Sequence, residues 1–438
     1  MIPVHAYKDQ HIALLGLDEA GLSLACALLE SGARVSAWDA DRENRDRAQS
    51  HGITIEDLTS FDWGDLAALV VDDASLLQAG TNNRLIDLAR AVDIPVRAAR
   101  AVLTEAVMQA PNLKAVILTG QHADACAQLS IHLLAANGIQ ARTLIDDQAS
   151  RLNAPVVLCP LSNAEISNLR SGAPLDGIVA LQGEGASVAE ADQKLEQLSS
   201  RAEKAVIAAV NAPNRARLIA GRDDEAALGI SAKMVLSRGV YAAGGEIFDA
   251  ISGRAQRLGL IEGLMPTEPV LAAIALARRY GVPSQTVCER LDVWEGLAGY
   301  GRCVLDIGQI RAYDWSCAQS AAQAIEVLRG ETATFWIAGP NLDPEAGNLL
   351  RRTPNSVKRV YLLSDRRKAE AQLSRVCQTS RHRNLSNAFA RALHDAAKLA
   401  APVHIVFAPG SQSEAFAENH LDDVMTALFV KAREDKAA

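Results

Sequence analysis

The sequence has few cysteines, and none of them form a pattern typical of disulfide frameworks or zinc sites. Seven cysteines are scattered singly along 438 residues, without a CxxC pair. His122 and Cys126 stand four residues apart, but a metal site needs three or four converging ligands, which two residues do not supply. We therefore expect no bound metal and a reducing, cytoplasmic environment.

Long apolar runs and an excess of positive charge are also missing. No segment approaches the ~18 consecutive apolar residues that cross a bilayer, and the early stretch Ile12–Leu17 is followed at once by two acids. The net charge is −8 and the sequence pI about 5.7, whereas nucleic acids and anionic membranes attract basic proteins. We expect no nucleic-acid partner and no membrane insertion.

Aromatic residues are scarce, at 4% of the chain, while alanine, leucine and valine are abundant. Together with 49% hydrophobic and 22% charged residues, this composition is typical of globular α/β proteins. A chain of this length is too long for one core, so we expect three domains, at residues 1–110, 111–293 and 294–438.

The clearest local pattern covers residues 12–39. An apolar strand leads into the turn Gly16–Gly21 (GLDEAG), a helix follows, and a second strand ends in Asp39, which predicts a βαβ unit. Gly16 and Gly21 could bind a nucleotide or serve close strand–helix packing. Asp39 could contact a ribose or a base, or be a solvated acid at a strand end.

A second strand–turn–helix pattern begins at the apolar run Leu113–Leu118 and turns at Gly120. This is the arrangement of a phosphate-binding loop, yet the turn Gly120–Cys126 (GQHADAC) places Asp124 where a lysine is expected. Residues 228–262 predict a short antiparallel insertion with a hairpin turn at Gly244 and Gly245. In the third domain, strands alternate with helices, including predicted helices at Cys317–Arg329 and Leu421–Ala432.

Short matches along the whole chain resemble, in order and spacing, the Mur ligase family, most closely its MurD type. They are the first glycine turn with Trp38 and Asp39, Val116–Gly120, Gly239–Tyr241, Ile247–Asp249, Trp294–Leu297, Asp314 and Ile405–Pro409. The resemblance implies three consecutive α/β domains: a Rossmann-like domain that binds UDP in the family, a P-loop-like ATPase-type domain, and a Rossmann-like domain for the amino-acid substrate. The family joins an amino acid to a UDP-linked sugar peptide, using ATP and Mg²⁺.

The chain departs from that family where phosphate is handled. The family's P-loop reads approximately GTNGKST; here Asp124 replaces the lysine, Ala125 the metal-binding hydroxyl and Ala123 the second glycine. A charge pair at 4 Å is worth about 4 kcal/mol at an effective dielectric constant of ~20, so exchanging attraction for repulsion strongly disfavours a triphosphate. We expect ATP and Mg²⁺ binding to be lost, and no cofactor to replace them.

Acidic residues also occur in three other turns that bind substrate in the Mur ligase family. Asp18 and Glu19 lie in the first glycine turn, Asp72–Ala74 replaces the family's SPG turn, and Gly339–Asp343 carries an acid where the family has a lysine. Lys194 lies near the family's carbamylated lysine and is a weak catalytic candidate. The candidate substrate-binding residues that remain are Gly16, Gly21, Asp39 and Asp314.

The sequence thus predicts a catalytically inactive pseudo-ligase that acts by binding or scaffolding. Its expected partners are cell-wall precursor enzymes, or a UDP-sugar or other small ligand in the first cleft. The alternative is an active ATP-dependent UDP-N-acetylmuramoyl-L-alanine:D-glutamate ligase with atypical residues. A third possibility is an enzyme repurposed for an uncharged or cationic ligand.

Overall fold

The structure is a computed structural model of the chain. It describes residues 4–60, 62–78, 81–144, 155–170, 172, 174–183, 189–222, 225–260, 267–294, 296, 302–315, 333–339, 357–363, 377–399 and 401–407. The chain divides into two compact units. The first comprises Met1–Leu260 and Glu268–Asp292, and the second Ile261–Thr267 and Val293–Ala438.

The first sheet is a five-stranded, fully parallel sheet of short apolar strands. Its strands are β1 (His11–Leu15), β2 (Arg34–Trp38), β3 (Thr54–Ile55), β4 (Leu66–Val71) and β5 (Val96–Ala98). The strand order is β3-β2-β1-β4-β5. The chain therefore changes winding direction between β1 and β4, the switch point at which such sheets bind ligands.

The helices that follow these strands are α1 (Glu19–Glu30), α2 (Arg42–Ser50), α3 (Arg84–Ala91) and α4 (Ala99–Gln109). Asp41 and Asn83 cap α2 and α3 by accepting backbone N–H groups of the first turn, which otherwise have no partner. The βαβ unit predicted for residues 12–39 is present as β1, α1 and β2.

The second sheet has nine strands and belongs to the same compact unit. Its strands are β6 (Lys114–Thr119), β7 (Ala141–Thr143), β8 (Val156–Leu161), β9 (Leu175–Ala180), β10 (Ala202–Ala209), β11 (Ala227–Ser231), β12 (Gly239–Ala243), β13 (Glu246–Asp249) and β14 (Gln256–Leu260). The order β14-β13-β12-β11-β10-β9-β6-β8-β7 places β6 between β8 and β9. The carboxyl end of β6 is therefore a second switch point.

The antiparallel insertion predicted at residues 228–262 is only partly correct. Strands β11 and β12 pair in parallel, whereas β12 with β13 and β13 with β14 pair antiparallel, so the segment extends the main sheet. The hairpin turn between β12 and β13 is where it was predicted, with positive φ at Gly244 and Gly245. The prediction is confirmed for β12, β13 and β14 and wrong for β11, because strand direction depends on pairing across the sheet, which local patterns do not encode.

The helices around the second sheet are α5 (Ala123–Ala135), α6 (Asn163–Asn168), α7 (Ala189–Ser199), α8 (Pro213–Ala216), α9 (Thr267–Arg279) and α10 (Ser284–Asp292). Helix α4 also packs against this sheet, at β6 and β8, while its other contacts reach α1. One continuous hydrophobic core includes side chains from both sheets.

A buried polar network joins β5 to the end of α6. The Oδ1 atom of Asn168 accepts from Arg97 Nε at 3.0 Å and from the Ala98 N–H at 2.9 Å, and its amide group donates to the Val96 carbonyl at 3.1 Å. Arg97, 4% exposed, also pairs with Glu105 at 2.6 Å. Asn168 therefore bonds the backbone of β5, in the first sheet, to helix α6, which lies beside the second sheet.

The second unit contains a six-stranded sheet in the order β15-β16-β20-β17-β18-β19. Its elements are β15 (Arg302–Ile307), β16 (Ile310–Asp314), β17 (Ala333–Ala338), β18 (Val357–Leu363), β19 (Gln378–His382), α11 (Leu385–Ala396) and β20 (Val403–Phe407). Among the described strands of this sheet, β15 alone pairs antiparallel, with β16. The helices predicted at Cys317–Arg329 and Leu421–Ala432, and the turn after Gly339, lie outside the described residues.

The three sheets confirm the predicted α/β class, while the boundaries at residues 110 and 293 stay predictions. Among the described residues, no helix combines the length and apolar character needed to span a bilayer.

Replacing Asn168 by alanine should lower the free energy of unfolding by about 2–4 kcal/mol, because Arg97 Nε, the Ala98 N–H and the Val96 carbonyl lose the side chain that bonds them, while the bond from Arg97 to Glu105 remains. Urea unfolding of wild type and variant measures the change. The control is Asn137→Ala at an exposed position, for which we expect a change under about 0.5 kcal/mol. Equal effects of the two substitutions would contradict the role given to Asn168.

Candidate functional site

The first glycine turn joins β1 to α1 and is filled by Asp72, the residue after β4. Gly16 has a φ of 94°, and a Cβ there would lie 2.8 Å from the Cβ of Asp72. A Cβ on Gly21 would lie 2.7 Å from Asp72 Oδ2. Both glycines are therefore required for the close approach of Asp72, which explains them without a bound nucleotide.

Asp39 holds the same turn from the side of β2. Its carboxylate accepts the Leu17 N–H at 2.6 Å, the Asp41 N–H at 2.7 Å and the Asn44 side-chain amide at 3.3 Å. These bonds give Asp39 a structural role in the turn. Its contact with a ligand stays a prediction.

The second glycine turn joins β6 to α5 and is covered by the segment after β9. Gly120 has a φ of 103°, and a Cβ there would lie 2.8 Å from the Gln182 carbonyl oxygen. That oxygen accepts the Gln121 N–H at 2.8 Å, and the Gln182 N–H is in turn donated to Glu268. A phosphate-binding loop directs its backbone N–H groups at the ligand, whereas here the Gln121 donor is used within the protein.

Asp124 lies in the first turn of α5, and Arg100 of α4 lies beside it. Arg100 Nη1 is 3.4 Å from Asp124 Oδ1, and Arg100 Nε is 4.0 Å from Glu165 Oε1. The guanidinium thus lies between two carboxylates. The sequence analysis missed Arg100, since 24 residues and a change of sheet separate it from Asp124.

The neighbours of Asp124 in α5 face the protein interior. Ala125 and Cys126 are fully buried, and burial raises the pKa of the Cys126 thiol to about 12. Cys126 is therefore a neutral core residue, unsuited to metal binding at neutral pH. Among the described residues, no group of three or more His, Cys, Asp and Glu side chains could hold a metal ion.

Glu165 is a buried carboxyl group that the sequence analysis also missed. It forms a capping box at α6: its Oε2 accepts the Ser162 N–H at 2.6 Å, and the Glu165 N–H is donated to Ser162 Oγ at 3.3 Å. Burial raises its pKa above the ordinary value of 4.5, opposed by the Ser162 bond and by Arg100. The S-x-x-E pattern after an apolar strand was the available signal.

A second buried ion pair lies further along the same carboxyl edge of the sheet. Arg215 on α8 is 2% exposed, with Nη1 3.0 Å from Asp192 on α7 and Nη2 donating to Asn163 at 3.3 Å. Lys194 follows on α7 as a half-buried residue, and its catalytic role stays a prediction. Asp314 ends β16 in the other unit and is buried; its role is likewise untested.

Solved structures with the same architecture identify the fold of this chain. The UDP-N-acetylmuramate-alanine ligase MurC of Thermotoga maritima aligns with a TM-score of 0.60 at 15% identity, covering 95% of this chain and 99% of that one. The MurF ligase of the same organism, in complex with ADP, aligns with a TM-score of 0.54 at 12% identity, over 97% and 99%. The fold is that of the Mur ligases.

Proteins with similar sequences indicate which type of Mur ligase this chain resembles. The UDP-N-acetylmuramoylalanine–D-glutamate ligase of Caulobacter vibrioides is 26% identical over 382 residues, 77% of this chain and 78% of the relative. That of Mesorhizobium japonicum is 27% identical over 425 residues, 91% and 90%. No protein-family model matches the chain. The chain is therefore a homologue of Mur-type peptidoglycan-precursor ligases, and the sequence relatives that it matches over most of its length are ligases of the MurD type.

Glu165 should make stability depend on pH. Because its folded-state pKa is raised, folding is favoured most below the ordinary pKa, and this contribution is lost as pH rises through the raised value. The Glu165→Gln variant keeps an oxygen for the capping box but has no proton to lose. Relative to wild type, it should gain stability as the pH rises from below the ordinary carboxyl pKa through the raised pKa of Glu165.

Urea unfolding at several pH values measures this difference, with Glu190→Gln, an exposed residue of α7, as the control. A gap between wild type and Glu165→Gln that stays constant with pH would show that the carboxyl group ionises without penalty.

Proposed function

We propose that this chain is a catalytically inactive Mur ligase homologue that acts by binding or scaffolding. The observation that carries the proposal is the closed second glycine turn, in which Gln182 accepts the Gln121 N–H at 2.8 Å. Backbone N–H groups of this turn are what a P-loop offers to nucleotide phosphates. A turn that has used this donor loses part of its phosphate contact.

Charge at the turn supports the same conclusion. Asp124 stands where the family has the phosphate-binding lysine, and the nearby cation, Arg100, lies within 4.0 Å of both Asp124 and Glu165. One guanidinium between two carboxylates leaves a local excess of negative charge. A triphosphate would meet repulsion, only partly screened because Glu165 is buried.

The residue at the family's Mg²⁺-binding position also supports the proposal that the chain is inactive. Ala125 replaces the hydroxyl residue that holds Mg²⁺ in the family's loop, and Ala125 is packed in the core. Mg²⁺ selects oxygen ligands, which alanine does not provide. The proposal therefore includes loss of both ATP and Mg²⁺ from this turn.

The retained architecture favours a role among the enzymes that make cell-wall precursors. A chain that keeps the Mur ligase fold can bind within an assembly of such enzymes in the cytoplasm without performing the ligation. Intact folds without intact chemistry are expected where function lies in binding, since sites and folds change independently.

Isothermal titration with ATP–Mg²⁺ tests this proposal. Wild type should give no saturable heat at millimolar nucleotide, and Asp124→Lys should also fail to bind, because the new lysine faces Arg100 and the Gln121 N–H stays bonded. Glu190→Lys, which adds the same charge to the first turn of α7, is the control.

Phosphate release supplies the second readout. Wild type with ATP–Mg²⁺, D-glutamate and the UDP-linked muramoyl-alanine substrate should release no more phosphate than buffer does. Micromolar ATP binding, or phosphate release that needs D-glutamate, would establish an active ligase and refute the proposal.

A further inference from the structure

The first glycine turn lies at the switch point of the first sheet. Gly16 follows β1 and Asp72 follows β4, and these two strands are paired neighbours. The twelve-residue helix α1 begins beside them. Its first N–H groups have no partner within the helix, and its amino end carries a partial positive charge of about half a unit. Phosphate groups of nucleotides bind at such positions.

Asp72 reaches into this position from β4. The residue is 8% exposed, and its Oδ2 atom is buried without a hydrogen-bond partner among the described residues. This oxygen lies 2.7 Å from the point where a Cβ on Gly21 would be, in the first turn of α1. The carboxylate is thus directed at the amino end of the helix.

A buried carboxylate oxygen without a hydrogen bond is costly to maintain. The feature of the site that offsets this cost is the positive end of α1, which stabilises a negative group near its first turn. Since the Asp72 carboxylate already lies against that end, a second anion there would clash with it sterically and be repelled by its charge.

We propose that the Asp72 carboxylate occupies the anion-binding position at the amino end of α1 and closes the first glycine turn to nucleoside diphosphates. Asp72 is then the residue that determines ligand specificity at this turn. The inference concerns a different turn from the one that carries the proposed function, and each stands or fails separately.

The other acids in and beside the first glycine turn have a weaker effect on an incoming anion than Asp72 has. Asp18, Glu19 and Asp73 are all exposed, so water and salt screen their charges. Asp73 also caps the following short helix by accepting the Ser75 N–H at 2.9 Å. Asp73 provides the matched control: it carries the same charge next to Asp72 in sequence, but its carboxylate is bonded to the Ser75 N–H.

Titration calorimetry with UDP, and in parallel with inorganic pyrophosphate, tests the inference on the full chain. Wild type should not bind either probe measurably. Asp72→Ser removes both the charge and the volume, and it should bind UDP at least about tenfold more tightly than wild type. Asp72→Asn removes the charge but keeps the volume, so it should show a smaller gain. Asp73→Asn, which removes an exposed charge and can keep the bond from the Ser75 N–H, should stay within about twofold of wild type.

Thermal unfolding of each variant verifies that it is folded. If Asp72→Ser does not fold, the test relies on Asp72→Asn. The inference is overturned if wild type binds UDP as tightly as the Asp72 variants do, if folded Asp72 variants gain nothing, or if Asp73→Asn gains as much. UDP binding to wild type would leave the ATP result at the second turn unaffected, so the two proposals are separable.

Discussion

The hydrogen bond from the Gln121 N–H to the Gln182 carbonyl oxygen is the interaction on which the functional account depends. It requires the backbone after β9 to lie against Gly120, where only a glycine fits. The same glycine that lets a phosphate approach a loop here lets another part of the chain approach it. Retention of the glycine is therefore compatible with loss of the ligand.

Each of the two glycine turns is occupied by another part of the chain, but by a different kind of group. At the first turn a side chain, that of Asp72, lies against the amino end of α1; at the second a backbone carbonyl covers the loop and Asp124 reverses its charge. In both cases the sheet still presents a switch point, so the architecture of a nucleotide-binding protein persists. What has changed is the sign and the accessibility of the groups at the carboxyl edge.

Much of the fold was predictable from local patterns, because glycine turns, apolar strands and capping residues report on neighbouring residues in sequence. The unit from β1 to β2 and the turn at Gly244 are examples. The parallel pairing of β11 with β12 and the position of Arg100 were not predictable, since they depend on contacts between distant segments. The reversal of charge at Asp124 was visible in the sequence, but its pairing with Arg100 was not.

Hydrogen–deuterium exchange at the Gln121 amide tests the central claim most directly, because it reports on the one bond that closes the second turn. The account predicts slow exchange in the free protein, at a rate that millimolar ATP–Mg²⁺ does not change. Fast exchange in the free protein that becomes slow on addition of ATP–Mg²⁺ would show an open loop that binds nucleotide, and would contradict the account.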